Sequence, residues 1–247
     1  MSFWDHLDEL RGTLWRSILA ACLLSVFFLA TKEWLFQAVL WPSKPDFVLY
    51  KWLGLDFSMS LINIDISAQF FVHLKASFAV GLIVAFPYVV WELWRFLAPA
   101  LYEKEKKAVR AAFGMATGLF YLGVLVGYFI VLPVCLQFFM NYTVSDAVAN
   151  TITIGSYMSM FFSMVLLIGV VFEFPTVVLA LNRLGILDRS VLRKGRRYAV
   201  VVVLVLAALI TPSDPFSMFV LAIPLYFLYE FSILLCSKSA ESPETNE

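Results

Sequence analysis

The sequence predicts an all-α integral membrane protein of six transmembrane helices, with both ends in the cytoplasm and kinked helices forming a concave wall. Three observations predict it. Apolar residues make up 62% of the 247 and charged residues 15%, with a mean hydropathy of +0.86. Soluble domains sit nearer half apolar and a quarter charged. The apolar residues fall in continuous runs of spanning length, without the alternation of a membrane barrel. Of the 18 Lys and Arg residues, Lys32, Lys44, Lys51 and Lys75 fall on one side of these runs and the rest on the other. The side rich in cations is cytoplasmic.

The spans are read at 14–40, 67–94, 109–142, 156–181, 198–211 and 216–236. Water is absent from the bilayer core, so each must satisfy its own backbone polar groups, which a helix does. The first and third runs are long enough to project beyond the hydrocarbon. The fifth, 198–211, gives only about 21 Å at 1.5 Å per residue, against a core of about 30 Å. Either the bilayer thins locally, or the helix extends into Arg196 and Arg197 with their side chains snorkelling to the surface. Residues 1–238 read as one six-span domain and 239–247 as a disordered cytoplasmic tail. The acids Asp5, Asp8 and Glu9 near the start argue against a cleaved signal, whose leading region is basic.

The first outer loop, 41–66, alternates aromatic and polar residues, as an ordered cap on the membrane would. The three spans that run outside to inside each hold a proline: Pro87, Pro175 and Pro224. Proline removes a helix hydrogen bond and kinks the helix. Three such helices side by side could form a curved wall, although proline is also ordinary in membrane helices.

Glu173 lies in the run Val170-Val171-Phe172-Glu173-Phe174-Pro175, about 14 Å inside the cytoplasmic end. An acid at that depth costs roughly 2.5–3.5 kcal/mol on insertion scales. It must be protonated, face a watery cavity or meet a polar partner, and is read as a polar contact on the concave face. Glu92 and Glu230 are expected to reach the headgroups. The three cysteines are far apart and form no metal spacing or disulfide framework. His6 and Glu9 are spaced for one helix face, but a metal would need further ligands. With zero net charge there is no bulk basic field for nucleic acid. No cofactor and no enzyme chemistry are expected.

Two cytoplasmic segments place acids beside the membrane: Asp5-His6-Leu7-Asp8-Glu9-Leu10-Arg11, and the loop from Phe96 to Lys107. Neighbouring cations keep such carboxylates ionised. They suit a cationic ligand, and a guanidinium best, because it pairs in bidentate fashion.

At this point the motifs resemble those of the TatC family, the multi-spanning receptor subunit of the twin-arginine protein translocase. His6-Leu7-Asp8-Glu9-Leu10-Arg11 is similar to its H-L-x-E-L-R. Phe96-Leu97-Ala98-Pro99-Ala100-Leu101-Tyr102 with Glu105 resembles its F-x-x-P-A-L-Y-x-x-E. Phe172-Glu173-x-Pro175 and Thr211-Pro212-Ser213-Asp214 are similar to its F-E-x-P and T-P-x-D, and Ala222-Ile223-Pro224 and Tyr229-Glu230 match its sixth span.

The resemblance implies a receptor in the cytoplasmic (inner) membrane of a prokaryote. It would bind twin-arginine signal peptides of folded precursors and recruit TatA- and TatB-type single-span proteins for export driven by the proton-motive force. Membrane lipids and further copies of the chain are its other expected partners. It places Glu9, Arg11 and Glu105 in the signal-peptide site, with Phe96, Pro99, Leu101 and Tyr102 as the supporting loop. Glu103 is an added acid beside them. Glu173 would face the concave pocket. Thr211, Pro212, Asp214 and Met218 would lie where partner helices dock. The family often has a second basic residue where this chain has Thr13, and a polar one where it has Met218. A small-solute secondary transporter is the alternative. It would need a midplane site, usually with broken helices.

Overall fold

The computed structural model describes residues 3–55, 57, 59–97, 106–145, 150–183, 186–211 and 214–236. Helix α1 (Phe3–Ala30) has 28 residues, about 42 Å, and carries the acidic Asp5–Arg11 segment as its first turns. The predicted first span is cut at Thr31, which leaves the helical region of φ/ψ while its hydroxyl bonds back to the Phe27 carbonyl. The apolar run gives way here to Thr31-Lys32-Glu33, so the chain turns where it meets water. It continues as α2 (Lys32–Val39) and α3 (Val48–Leu53). Gly54 ends α3 in the left-handed region, φ 63°, which glycine adopts without a Cβ penalty.

These short helices form the expected cap over the end opposite Arg11. Phe47, Tyr50 and Phe57 are buried there, and Tyr50 stacks on Phe57 at 4.3 Å. The last carbonyls of a helix lack the usual partner four residues on. Tyr128 and Tyr157, from other spans, donate to the carbonyls of Ala38 and Val39 at 2.6 and 2.7 Å. Strand β1 (Leu61–Ile62) pairs in parallel with β2 (Ile152–Thr153), tying the two outer loops together. Tyr157 is fully buried, so Tyr157→Phe leaves the Val39 carbonyl unpaired. It is expected to cost about 1–3 kcal/mol, read as a lower melting temperature in detergent. Tyr142→Phe, at an exposed tyrosine, is the control and should not move it.

Helix α4 (Ala68–Leu97) runs through Pro87 as one 30-residue element and packs along α1. Helices α5 (Lys106–Val126) and α6 (Leu132–Asn141) are joined by a π turn at Gly127–Val131, just before Pro133. The wider turn accommodates a residue that cannot donate a backbone hydrogen bond. The fourth span is built from α7 (Ile154–Phe161), a second π turn at Phe162–Leu167, α8 (Ile168–Val171) and α9 (Phe174–Arg183). The two π turns face each other. A Cβ on Gly127 would run into the Met164 carbonyl, so only glycine allows this approach.

Helix α10 (Arg189–Lys194) lies before α11 (Arg196–Ile210), and α12 (Pro215–Leu235) completes the fold. Five helical stretches among the described residues are long and apolar enough to cross a membrane. The exception is α11. Its start takes in Arg196 and Arg197, but Gly195 divides it from α10, leaving 15 residues or about 22 Å.

Candidate functional site

At the basic end, Glu9 sits half-buried on the second turn of α1 and Arg11 is exposed. Phe96, near the last turn of α4, is 9% exposed and packs inward. Pro99, Leu101, Tyr102, Glu103 and Glu105, expected to complete the site, lie outside the described residues. They fall in the segment that joins the end of α4 to Lys106, the start of α5.

Glu92 corrects its sequence reading. It does not reach the headgroups: it is 3% exposed and paired, its Oε2 accepting from Arg16 Nε at 2.8 Å. Arg95 approaches its other oxygen at 3.8 Å. The Arg16 guanidinium also reaches back one turn to the Thr13 hydroxyl at 3.4 Å. The sequence reading of Glu92 contained no such pair. The available signal was a cation and an acid each inside an apolar run, unaffordable in lipid unless matched. Glu230 is likewise paired, with Arg196 at 2.7 Å and the Tyr226 hydroxyl at 3.2 Å.

Glu173 stands at a break rather than within a helix. Its N–H bonds the Val170 carbonyl, and its own carbonyl accepts from Val177 as α9 begins. Pro175 sits in the first turn of α9, where its missing N–H costs nothing. The ten residues of α9 put Glu173 about 15 Å from the end of that helix. Its Oε1 is buried, as is the hydroxyl of nearby Thr176, and neither atom has a well-formed hydrogen bond among the described residues. A buried carboxyl oxygen without a partner can receive a polar group from outside the chain.

At the other end, Asp214 caps α12 by accepting from the Ser217 N–H at 2.6 Å. Thr211 is 5% exposed and its hydroxyl bonds the Ala207 carbonyl within its own helix. These two side chains build the turn. Met218 is half-buried and packs on the core, and Pro212 lies outside the described residues. Among the described residues no group of His, Cys, Asp and Glu could hold a metal.

The family model for the Sec-independent protein translocase protein (TatC) matches residues 5–224. A protein of that description from Blattabacterium is 34% identical over 251 residues, covering 95% of this chain and 94% of its own. The one from Desulforapulum autotrophicum is 36% identical, over 94% of this chain and 83% of its own. A crystal structure of the twin arginine translocase receptor TatC superposes with a TM-score of 0.78 at 33% identity, over 93% of this chain and 97% of that one. A second, in the detergent DDM, gives 0.80, over 94% and 99%. Match length, identity and shared fold agree, and the chain belongs to the TatC family of Sec-independent protein translocase components, which are membrane receptors and not enzymes.

Proposed function

We propose that this chain is the receptor that binds twin-arginine signal peptides of folded precursors and then recruits TatA- and TatB-type single-span proteins, with export driven by the proton-motive force. The observation that carries the reading is the position of Glu9. It is an acid half-buried on α1, at the end of the molecule where α4 leads into the Glu103–Glu105 segment. In this reading Glu9 and Glu105 receive the paired guanidinium groups, with Arg11 balancing their charge. Phe96, Pro99, Leu101 and Tyr102 support the loop. The apolar stretch of the peptide then runs into the bilayer along the wall formed by the proline-bearing spans, towards Glu173.

In this reading all six helical stretches cross the cytoplasmic membrane, α11 included, with both ends inside. The 22 Å of α11 are met by a thinned bilayer. Partner helices dock beside the Thr211–Asp214 turn and Met218, and further copies of the chain join the complex. Residues 1–238 act as one domain.

Photo-cross-linkers at positions 9, 96, 105 and 173 test the reading, and all four should capture a bound signal peptide. Replacing both peptide arginines by lysines should weaken binding about tenfold or more, because lysine lacks the planar fork. Equal affinity for the two peptides would refute a carboxylate–guanidinium site.

A further inference from the structure

We propose that Arg16 and Glu92 are positioning residues of the peptide site: their ion pair fixes the register of α1 on α4 and so holds Glu9 level with the end of α4 at Leu97. This rests on the peptide-receptor reading and adds to it two residues outside the family motifs quoted above.

The seam between α1 and α4 is made of small side chains. Ser17 and Ala21 on α1 and Ser77 and Ala85 on α4 are buried along it. A Cβ on Gly81 would stand 2.8 Å from the Cα of Ser25, so the two backbones approach closely at mid-span. Lipid tails are as apolar as the helices, so burial does not drive their pairing. A seam of methyl and hydroxymethyl groups offers little resistance to sliding. At the basic end the ion pair supplies what the seam lacks. It is directional, it joins residues 76 apart, and its acid is 3% exposed, so a slide would break the 2.8 Å bond and leave that buried charge only Arg95 at 3.8 Å.

The pair sits where it can act on the site. Positions 9, 13 and 16 fall on one face of α1 at helical spacing. Thr13 on that face is 1% exposed. In an antiparallel pair with Arg16 against Glu92, Glu9 is carried to the level where α4 ends at Leu97. Arg16 also places a guanidinium beside Thr13, the position where the family often has a second basic residue. Gly12 leaves room for it: the Cβ position there is 3.4 Å from Arg16 Nη1. The charge is present, but it comes from one turn further along.

The test uses the full chain in nanodiscs and three forms: wild type, Arg16→Lys, and the double variant Arg16→Met with Glu92→Leu. The double variant removes both charges together and so leaves no buried ion behind. Its melting temperature should therefore stay near that of the wild type. Its affinity for a twin-arginine peptide should fall at least tenfold, and amide exchange over residues 7–13 should quicken. Arg16→Lys, which keeps a cation against Glu92, should bind within about threefold of wild type with unchanged exchange. Wild-type affinity and exchange in the double variant would overturn the inference while leaving the receptor reading intact. If even the wild type fails to bind the peptide, the receptor reading fails. Faster exchange in the double variant would then still establish the register lock, and unchanged exchange would end both.

Discussion

Converting Glu9 and Glu105 together to glutamine is expected to abolish photo-cross-linking to a twin-arginine signal peptide. Glutamine keeps the size of the side chain and a carbonyl acceptor, but removes the charge. Hydrogen bonds to charged groups contribute roughly 1.5–3 kcal/mol each. Losing two removes about 3–6 kcal/mol, or roughly 10²- to 10⁴-fold in affinity. Glu9 makes no ion pair among the described residues, so its neutralisation strands no internal cation. The melting temperature should stay within a few degrees of wild type, which separates lost binding from lost folding. Cross-linking at wild-type yield in the folded double variant would remove both carboxylates from the site. Each single variant should retain part of the binding, because the second acid still accepts one guanidinium.

The second large effect is on folding. Gly127→Leu is expected to prevent stable assembly of the helices. Gly123 on α5 and Gly127, the first residue of the π turn that follows it, lie one turn apart on the face that meets the fourth span. A Cβ on Gly123 would stand 2.9 Å from the Cα of Gly169, and one on Gly127 would strike the Met164 carbonyl and Val165. These neighbours are backbone and cannot rotate away. Relief would require parting the two π turns, at a cost of about 3 kcal/mol or more. The same helix supplies the control. Gly114 and Gly118 have nothing within 4 Å of a built Cβ. Gly118→Ala should therefore be neutral or stabilise by up to about 1 kcal/mol, through helix propensity alone. Size-exclusion profiles and melting curves in detergent would distinguish the two glycines; a well-folded Gly127→Leu variant would show that the close approach is dispensable.

All four glycines read alike as sequence. Two four-residue spacings, at 114–118 and 123–127, are the same local pattern, yet one is packed and the other open. The difference depends on which helix lies opposite. Glu92 and Glu230 offer the same lesson. Each looked like a surface acid near a span end, and each proved to be held by an arginine from another helix. Glu173 was legible in part: its depth and its proline neighbour were visible, but the helix break at Phe172–Glu173 was not. Of the proposed peptide site the structure describes Glu9, Arg11 and Phe96, and the remainder of that loop lies outside the described residues.

The sequence by itself determined the membrane class, the position of every apolar run but the first to within a few residues, and the motifs that mark the family. These are local properties, set by the free energy of moving a side chain from water to lipid and by short-range backbone chemistry. Tertiary structure decided which acids are paired, where two helices approach to backbone contact, and how the outer loops fold into a cap. Inside a bilayer apolar surface gains nothing by choosing one helix over another. The choice falls to shape and to a few polar contacts between residues distant in the chain, and hydropathy carries no record of those.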